Sequence, residues 1–432
     1  MAKLALNGGK AVRSKTDAWP QWPMSDAKDA KRVAEITRSN RWSFDGPVEW
    51  EFAEAYTKYL GANYGICCAN GTVGIQLALE ALDIGAYDEV IVPGMTWQAT
   101  AAACIDVNAI PILVDVEPDT WCLDLAKTEA AITKKTKAII VVHLYGSMAD
   151  MAGLIRLCKK HNLYLIEDCA HQHGAFYKGH GVGTMGDVGS FSFQESKVLS
   201  CGEGGFNTCK SKIIFERIYS LRNCGRGYKD DMTNAIQSGN YRITEWQAAL
   251  LLGGLSRMDA QVKHRDKNAI YLNSLLDQIP GVMPMRRRKE ITQASYFNFV
   301  FRLDVKALKG VGNHAVSAAL NAELSVVPDG FEPPYDPLNN CALYKPWTKQ
   351  RHRLSPEYCK AINPKRFKLP VAKDANEKSG VAIHHLALMG PKKDVEDIAE
   401  AMAKIVKNID ELRGWKPAQP TKKYRGLAIK EV

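Results

Sequence analysis

An acidic residue and a lysine, each at the end of an apolar segment, are the strongest candidates for chemistry in this sequence. Asp168 closes the run Leu163–Asp168, and Lys197 follows shortly after the run Ser190–Phe193. A lysine amine becomes a nucleophile that forms Schiff bases when a dry or cationic pocket lowers its pKa. The alternatives are a solvated strand end for the aspartate and an exposed loop position for the lysine.

A lysine and a carboxylate together point to pyridoxal phosphate, because this cofactor needs an amine for its aldehyde and an acid that keeps its ring nitrogen protonated. A phosphate site is also available. Asn70–Val73 leaves an apolar run and opens a helical one, where backbone N–H groups and the helix dipole bind anions. Trp97 follows the next run and could stack on a ring, although a core tryptophan is the alternative. Asn240 precedes the capping box Thr244–Gln247 and could offer its amide to a phosphate.

Short apolar runs alternate with helical patterns over the first two-thirds of the chain. The predicted strands are Tyr64–Cys68, Val90–Pro93, Ile112–Val116, Ala138–Leu144 and Leu163–Ile166, with helices such as Val73–Leu82 and Met151–His161 between them. This alternation predicts an α/β fold with a largely parallel sheet and helices on both faces. Ligands of such sheets bind beyond the carboxyl ends of the strands, which is where Asp168 is expected.

The pattern changes after about residue 275. Ser295–Leu303 predicts a strand of an antiparallel sheet, Pro328–Trp347 predicts a long surface loop, and Asp394–Leu412 predicts a closing amphipathic helix. We therefore expect a large cofactor-binding α/β domain at residues 1–275 and a smaller α+β domain at residues 276–432.

Composition excludes several classes of protein. The chain has 432 residues, 46% hydrophobic and 24% charged, which is typical of a globular protein with two domains. No run approaches about 18 apolar residues and the N-terminus lacks a secretory signal, so we expect a cytoplasmic protein without a membrane partner. Eleven cysteines without a C-x-x-C pair predict neither a disulfide framework nor a metal site. The net charge of +10 is densest at Arg286–Lys289 and Lys422–Arg425, neither of which forms a stacking platform, so we expect no nucleic-acid partner.

The order of these motifs resembles that of the sugar and aminocyclitol aminotransferases of the DegT and StrS family. The resemblance covers almost the whole chain. Its most specific segments are Ile166–Ala175, Ser190–Lys197 and Gly202–Gly205, supported by Val142–Gly146 and Asn240–Arg242. It implies pyridoxal phosphate as cofactor and an aspartate-aminotransferase-like fold, with a mostly parallel seven-stranded sheet in the large domain.

The resemblance also implies roles for individual residues. Lys197 would form the internal aldimine and move the proton, while Asp168 would pair with the ring nitrogen. The remaining cofactor contacts would be Trp97 on the ring, Thr72, Val73 and Ser192 on the phosphate, and Asn240 on the phosphate of the neighbouring subunit. The last contact implies a homodimer with shared sites. His171 stands where the family usually has glutamine, and it can still donate one bond to the cofactor's 3-oxygen.

Further segments are similar to the members that aminate keto-inositols with glutamine. They are Leu4–Arg13, Trp19–Pro23, Pro333–Lys349 and Ile383–His385. The expectation is a ping-pong transfer of an amino group from glutamine or glutamate, through Lys197, to a keto-cyclitol such as scyllo-inosose. The alternative acceptors are a keto-sugar or a nucleotide-linked keto-sugar. His171 and the pair His384 and His385 are also similar to aminohydroxybenzoate synthases, so an aminodehydratase is a further alternative.

The second-substrate contacts have only candidates. These are Tyr145, Arg242, His384 and His385, and a structural histidine or a surface arginine is the alternative reading. A nucleotide-cofactor dehydrogenase is disfavoured because no G-x-G-x-x-G fingerprint opens the chain. A non-catalytic regulatory relative is disfavoured because both Lys197 and Asp168 are intact.

Overall fold

The computed structural model describes residues 3–14, 16–325 and 330–416. The helices are α1 Ala27–Ser39, α2 Pro47–Leu60, α3 Gly71–Ala81, α4 Ala99–Asp106, α5 Leu125–Ala130, α6 Met151–His161, α7 Lys212–Arg222, α8 Glu245–Leu276, α9 Asn313–Glu323, α10 Pro356–Ala361, α11 Pro370–Asp374 and α12 Lys392–Lys407. The strands are β1 Tyr64–Cys68, β2 Glu89–Pro93, β3 Ile110–Val114, β4 Thr136–Val142, β5 Tyr164–Asp168, β6 Phe176–Tyr177, β7 His180–Gly181, β8 Val188–Ser192, β9 Gly205–Cys209, β10 Val282–Pro284, β11 Ile291–Gln293, β12 Asn298–Leu303 and β13 Gly380–His384.

A seven-stranded sheet of order β1-β9-β8-β5-β4-β2-β3 forms the centre of the N-terminal part. The strands from β8 to β3 are parallel, and β9 runs antiparallel to both of its neighbours. All of β3 and nearly all of β4 is buried, because helices cover both faces of the sheet. The predicted mostly parallel seven-stranded sheet is confirmed.

Two predicted strands are displaced by two residues from those in the structure. The sequence predicts Ile112–Val116 and Ala138–Leu144, whereas the structure has Ile110–Val114 and Thr136–Val142. Val116 and Leu144 remain buried after their strands have ended. Buried apolar residues therefore continue past the last hydrogen bond between the strands. A prediction from the apolar run alone puts the end of the strand too far along the chain.

The C-terminal part contains an antiparallel sheet of order β10-β12-β13; its strand β13 contacts α9, which packs in turn against α12. The predicted strand Ser295–Leu303 starts later, at Asn298, and the predicted closing helix is observed as α12 followed by a 3₁₀ turn at Ile409–Leu412. The N-terminal segment also joins this region, since Arg13 forms buried ion pairs with Asp394 and Asp397. The boundary at residue 275 stays a prediction.

The predicted surface loop Pro328–Trp347 is only partly correct. Pro328 lies outside the described residues, and residues 330–345 are irregular as expected. The segment is not confined to the surface, because Phe331, Leu338 and Tyr344 are buried against the body of the protein. Its apolar residues lack helical or strand spacing, which hides their burial from a periodicity argument.

The basic cluster at Arg286–Arg288 is neutralised within the fold. Arg286 and Arg288 pair with Glu117, and Arg287 pairs with Asp266. The second cluster, Lys422–Arg425, lies outside the described residues. The eleven cysteines are free thiols, and no helix in the described ranges is long and apolar enough to span a membrane.

Candidate active site

A cavity of about 750 Å³ opens at the carboxyl ends of the strands of the large sheet. It is reached by the residues that follow β1, β2, β5 and β8. Seven predicted site residues line it: Thr72, Val73, Trp97, Asp168, His171, Ser192 and Lys197. The structure therefore brings together, in one cavity, side chains from four separate motifs of the sequence.

Asp168 is a buried carboxylate at the end of β5. Its Oδ2 accepts a hydrogen bond from Thr100 Oγ1 at 2.9 Å, and its Oδ1 accepts one from the Ala170 N–H at 3.2 Å. Burial raises the pKa of Asp168, while these two donors and the charge of Lys197 oppose the rise. Because its donors inside the fold are neutral, the carboxylate is suited to a cationic N–H group in the cavity. Thr100 was not predicted; its hydroxyl also lies 3.0 Å from that of Thr96, which precedes α4.

Lys197 is half-buried, and its Nζ lies 3.9 Å from the centre of the Phe297 ring. Within the described ranges, no carboxylate forms an ion pair with this amine. Burial lowers the pKa of Lys197 to about 8, and the charge of Asp168 partly opposes that shift. The amine is therefore neutral, and so nucleophilic, in a much larger fraction of molecules than an exposed lysine at the same pH.

The lowered pKa predicts how Lys197 reacts as the pH changes. Reductive methylation requires the neutral amine, so the labelling rate of Lys197 should rise as the pH increases through about 8. Mass spectrometry of the digested protein, labelled at a series of pH values, measures this rate for each lysine. Exposed lysines in the same digest are the internal control, with midpoints expected near about 10.4. A midpoint for Lys197 that coincides with theirs would contradict the burial argument.

The N-terminus of α3 provides a site for an anion at one end of the cavity. Asn70 caps the helix by accepting the Val73 N–H at 2.9 Å, so this amide is already engaged. The amides of Gly71 and Thr72 belong to the first turn, which has no intrahelical acceptors for its N–H groups. A Cβ on Gly71 would lie 2.7 Å from Ser192 Cβ, so glycine allows α3 to begin directly beside the end of β8.

His171 is held in one tautomer. Its Nδ1 accepts the Tyr145 N–H at 3.1 Å, and its Nε2 lies 3.4 Å from the Tyr335 hydroxyl. Burial, followed by the charge of Lys197, keeps the pKa of His171 well below its ordinary value. The neutral ring therefore carries its proton on Nε2 and can donate it at the cavity, as the prediction for this residue requires.

Tyr335 is a lining residue that the site prediction did not include. It comes from the irregular segment 330–345, and its ring lies 5.7 Å from that of Trp97 at the mouth of the cavity. Its backbone N–H donates to the Tyr145 hydroxyl at 2.8 Å. Trp97 itself is 48% exposed, so it is not a core tryptophan and is accessible to a ligand ring.

Five predicted residues lie outside the cavity lining of this chain. Tyr145 is buried behind Tyr335 and His171, while His384 and His385 both direct Nε2 at the Ser196 carbonyl. Arg242 donates to Asn223 Oδ1, and Asn240 is exposed beside it. A contact of Asn240 with a neighbouring subunit is compatible with this exposed position, but it stays a prediction.

A buried group of metal-binding residue types, His143, Glu167 and Cys169, lies behind the cavity. The Glu167 carboxylate already accepts N–H groups of Gly183, Met185 and Gly186, and it contacts His143 Nε2 at 3.1 Å. These donors occupy both carboxylate oxygens. The group therefore anchors the loop at residues 183–186 to β5, next to Asp168.

Comparisons with known proteins agree with this geometry. The model of the DegT/DnrJ/EryC1/StrS aminotransferase family matches residues 23–402. The L-glutamine:2-deoxy-scyllo-inosose aminotransferase of Streptomyces fradiae is 40% identical over 426 residues, covering 94% of this chain and 98% of the relative.

Solved structures also resemble this chain. The crystal structure of 3-amino-5-hydroxybenzoic acid synthase matches with a TM-score of 0.78 and 27% identity, covering 90% of this chain and 99% of the other. DesV of S. venezuelae, solved in complex with a ketimine intermediate, matches with a TM-score of 0.75, 27% identity and the same coverage. The chain belongs to the DegT/DnrJ/EryC1/StrS aminotransferase family and is an aminotransferase.

Proposed function

We propose that this aminotransferase uses pyridoxal phosphate to move an amino group from glutamine or glutamate to a keto-cyclitol such as scyllo-inosose. The observation that carries the proposal is that the amine of Lys197, with its lowered pKa, and the buried carboxylate of Asp168 line the same cavity, beside a helix N-terminus. The name of the Streptomyces fradiae relative supports the donor and the class of acceptor.

The residues present fit this cofactor on three points. The α3 N-terminus and Ser192 suit a phosphate, the Asp168 carboxylate suits a protonated ring nitrogen, and the exposed Trp97 suits the face of a ring. When bound, the cofactor supplies an aldehyde that takes up amines and a ring that accepts electrons from the carbon being deprotonated. Lys197 would offer its neutral amine to the aldehyde and afterwards carry the proton between the reacting carbons. His171 would donate its Nε2–H to an oxygen of the ring.

A neutral acceptor is favoured by the charges around the cavity. Its charged lining residues, within the described ranges, are the acidic Asp106, Asp168 and Glu203 and the single basic residue Lys197. Asp106 is paired with Lys349 and Arg351, and Glu203 is exposed. A nucleotide-linked sugar carries a diphosphate, which basic side chains normally bind bidentately. An uncharged polyol needs only hydrogen bonds, such as Gln76 and Gln194 can provide.

The charge argument predicts acceptor selectivity. The value of kcat/KM for scyllo-inosose should exceed that for a nucleotide-diphosphate-linked keto-sugar by roughly 10²-fold or more, because like charges facing each other cost several kcal/mol. Steady-state rates with glutamine as donor measure both values. The variant Glu203→Gln removes one negative charge from the cavity. It should therefore narrow the difference between the two kcat/KM values. Equal values for the two acceptors would contradict the assignment of a neutral acceptor.

We also propose that two chains share their active sites. Asn240 is exposed, and the guanidinium of nearby Arg242 lies 5.2 Å from the Phe44 ring; Phe44 and Trp42 are 45% and 47% exposed. Large apolar side chains grouped on a surface are typical of protein interfaces. A homodimer would cover this surface and would bring Asn240 of one chain towards the phosphate site of the other.

A further inference from the structure

Three aromatic side chains bind the backbone around Lys197. The Trp22 indole N–H is within hydrogen-bond distance of two carbonyl oxygens, those of Glu195 and Lys197, both at 3.1 Å. The carbonyl between them, that of Ser196, lies 3.0 Å from His384 Nε2 and 3.2 Å from His385 Nε2. Every carbonyl of this tripeptide is therefore bound by a ring nitrogen from a distant part of the chain.

The three side chains that bind these carbonyls also contact one another. The Trp22 ring meets His385 edge-on at 4.6 Å, and the two histidine rings are 4.1 Å apart. His385 is fully buried, and burial together with the nearby His384, Arg265 and Lys197 keeps its pKa well below the ordinary value. A neutral histidine has one N–H, and the carbonyl acceptor of His385 requires that proton on Nε2.

The two histidines lie at the end of β13 and directly after it, next to the residue that contacts the lysine amine. His384 ends β13, where it pairs with Asn298 of β12, and the His385 N–H donates to the Phe297 carbonyl at 3.1 Å. The Phe297 ring is the surface on which Lys197 Nζ lies. The C-terminal part of the chain thus holds Lys197 at the backbone through the histidines and at the amine through Phe297.

We propose that Trp22, His384 and His385 are positioning residues that act through the backbone of Lys197 and fix where its amine stands in the cavity. The predicted contact of the two histidines with a substrate stays a prediction, and neither residue lines the cavity of this chain. A lysine side chain has four rotatable bonds, so a fixed backbone is needed before its amine can be held at one place. The expected effect on catalysis rests on the proposed function. The expected effect on the pKa of the Lys197 amine does not.

The first test uses the protein without cofactor. Trp22→Phe keeps an aromatic ring against His385 and removes the N–H donor together with part of the indole ring, a loss of volume that the control below shares. We expect the midpoint of Lys197 methylation against pH to move upward from about 8, because an amine that leaves its buried position regains water. Trp19→Phe is the matched control, since the Trp19 indole also donates to a carbonyl, that of Leu324, far from Lys197. The control should leave the midpoint unchanged.

The second test uses the enzyme loaded with pyridoxal phosphate in single turnovers with glutamine. His385→Phe should lower the limiting rate constant by about 10-fold to 10²-fold, as expected for a misplacement of about 1 Å, with little change in the apparent Kd for glutamine. His385→Gln should recover most of the rate, because the glutamine amide can donate to the Ser196 carbonyl.

Different results of these tests would overturn the positioning role and the proposed function. An unchanged methylation midpoint in Trp22→Phe, or a higher Kd for glutamine with an unchanged rate constant in His385→Phe, would overturn the positioning role. If Trp22→Phe does not fold, the pair His385→Phe and His385→Gln decides the question by the same two measurements. A wild-type enzyme inactive with both glutamine and glutamate would refute the proposed function, while the methylation profile would still report on positioning.

Discussion

Replacement of Lys197 by alanine is expected to lower the rate of amino transfer from glutamine by about 10²–10⁴-fold, the range typical of a positioned proton-transfer group. Lys197 provides the only amine among the described residues that line the cavity, so no neighbour can supply the same nucleophile. The change removes a group whose charged form is disfavoured by burial, so the fold should be retained. Stopped-flow absorbance with the cofactor-loaded protein measures the rate.

Two further experiments sharpen the test of Lys197. Lys197→Arg keeps a positive charge but offers no neutral amine at accessible pH, so it should be as slow as the alanine variant. A small primary amine such as methylamine should restore part of the activity of Lys197→Ala, because the truncated side chain leaves room in the cavity. Activity within 10-fold of wild type in Lys197→Ala would exclude a catalytic role for this lysine.

Asp168→Asn is expected to cause the second large loss, about 10²–10³-fold in the rate of the first half-reaction. An amide has no negative charge to keep a ring nitrogen protonated. It would also place an NH₂ group opposite one of two donors, the Thr100 hydroxyl or the Ala170 N–H. Single-turnover kinetics with glutamine, together with the dissociation constant of the cofactor, separate the loss of rate from a loss of binding.

Thr100→Val provides the matched control for Asp168. It removes one hydrogen bond to the carboxylate while leaving the charge in place, so the rate should fall by only about 10-fold. Thr100→Val and Asp168→Asn both alter the hydrogen bond between Thr100 and Asp168, but only Asp168→Asn changes the charge. Equal losses in the two variants would show that the geometry of the network matters more than the charge of Asp168.

Much of the seven-stranded sheet could be predicted from the sequence because its strands are buried on both faces. Residues 138–142 contain no polar residue, and such a run has few interpretations besides a central strand. Site residues at or shortly after the end of a strand, such as Asp168 and Trp97, were predictable from that position, whereas Ser192 was implied by the family resemblance. Their place in the cavity follows from the rule that parallel strands end at the same edge of the sheet.

The remaining site residues depend on contacts that no local pattern records. Tyr335 reaches the cavity from a segment without periodicity, and Phe297 precedes a strand whose start was placed too early. His384 lies 188 positions from the carbonyl that it binds. The sequence motif identified His384 and His385. Only the structure shows that both side chains bind the Ser196 carbonyl, next to Lys197.

Transfer of labelled nitrogen from glutamine to scyllo-inosose tests the central claim most directly. The wild-type protein, loaded with pyridoxal phosphate, is mixed with scyllo-inosose and glutamine labelled with ¹⁵N at the α-amino group, and the cyclitol product is analysed by mass spectrometry. The account predicts an aminocyclitol that carries the label, and no label when only the amide nitrogen of glutamine is ¹⁵N. An unlabelled cyclitol, or a product formed by loss of water without gain of nitrogen, would contradict it.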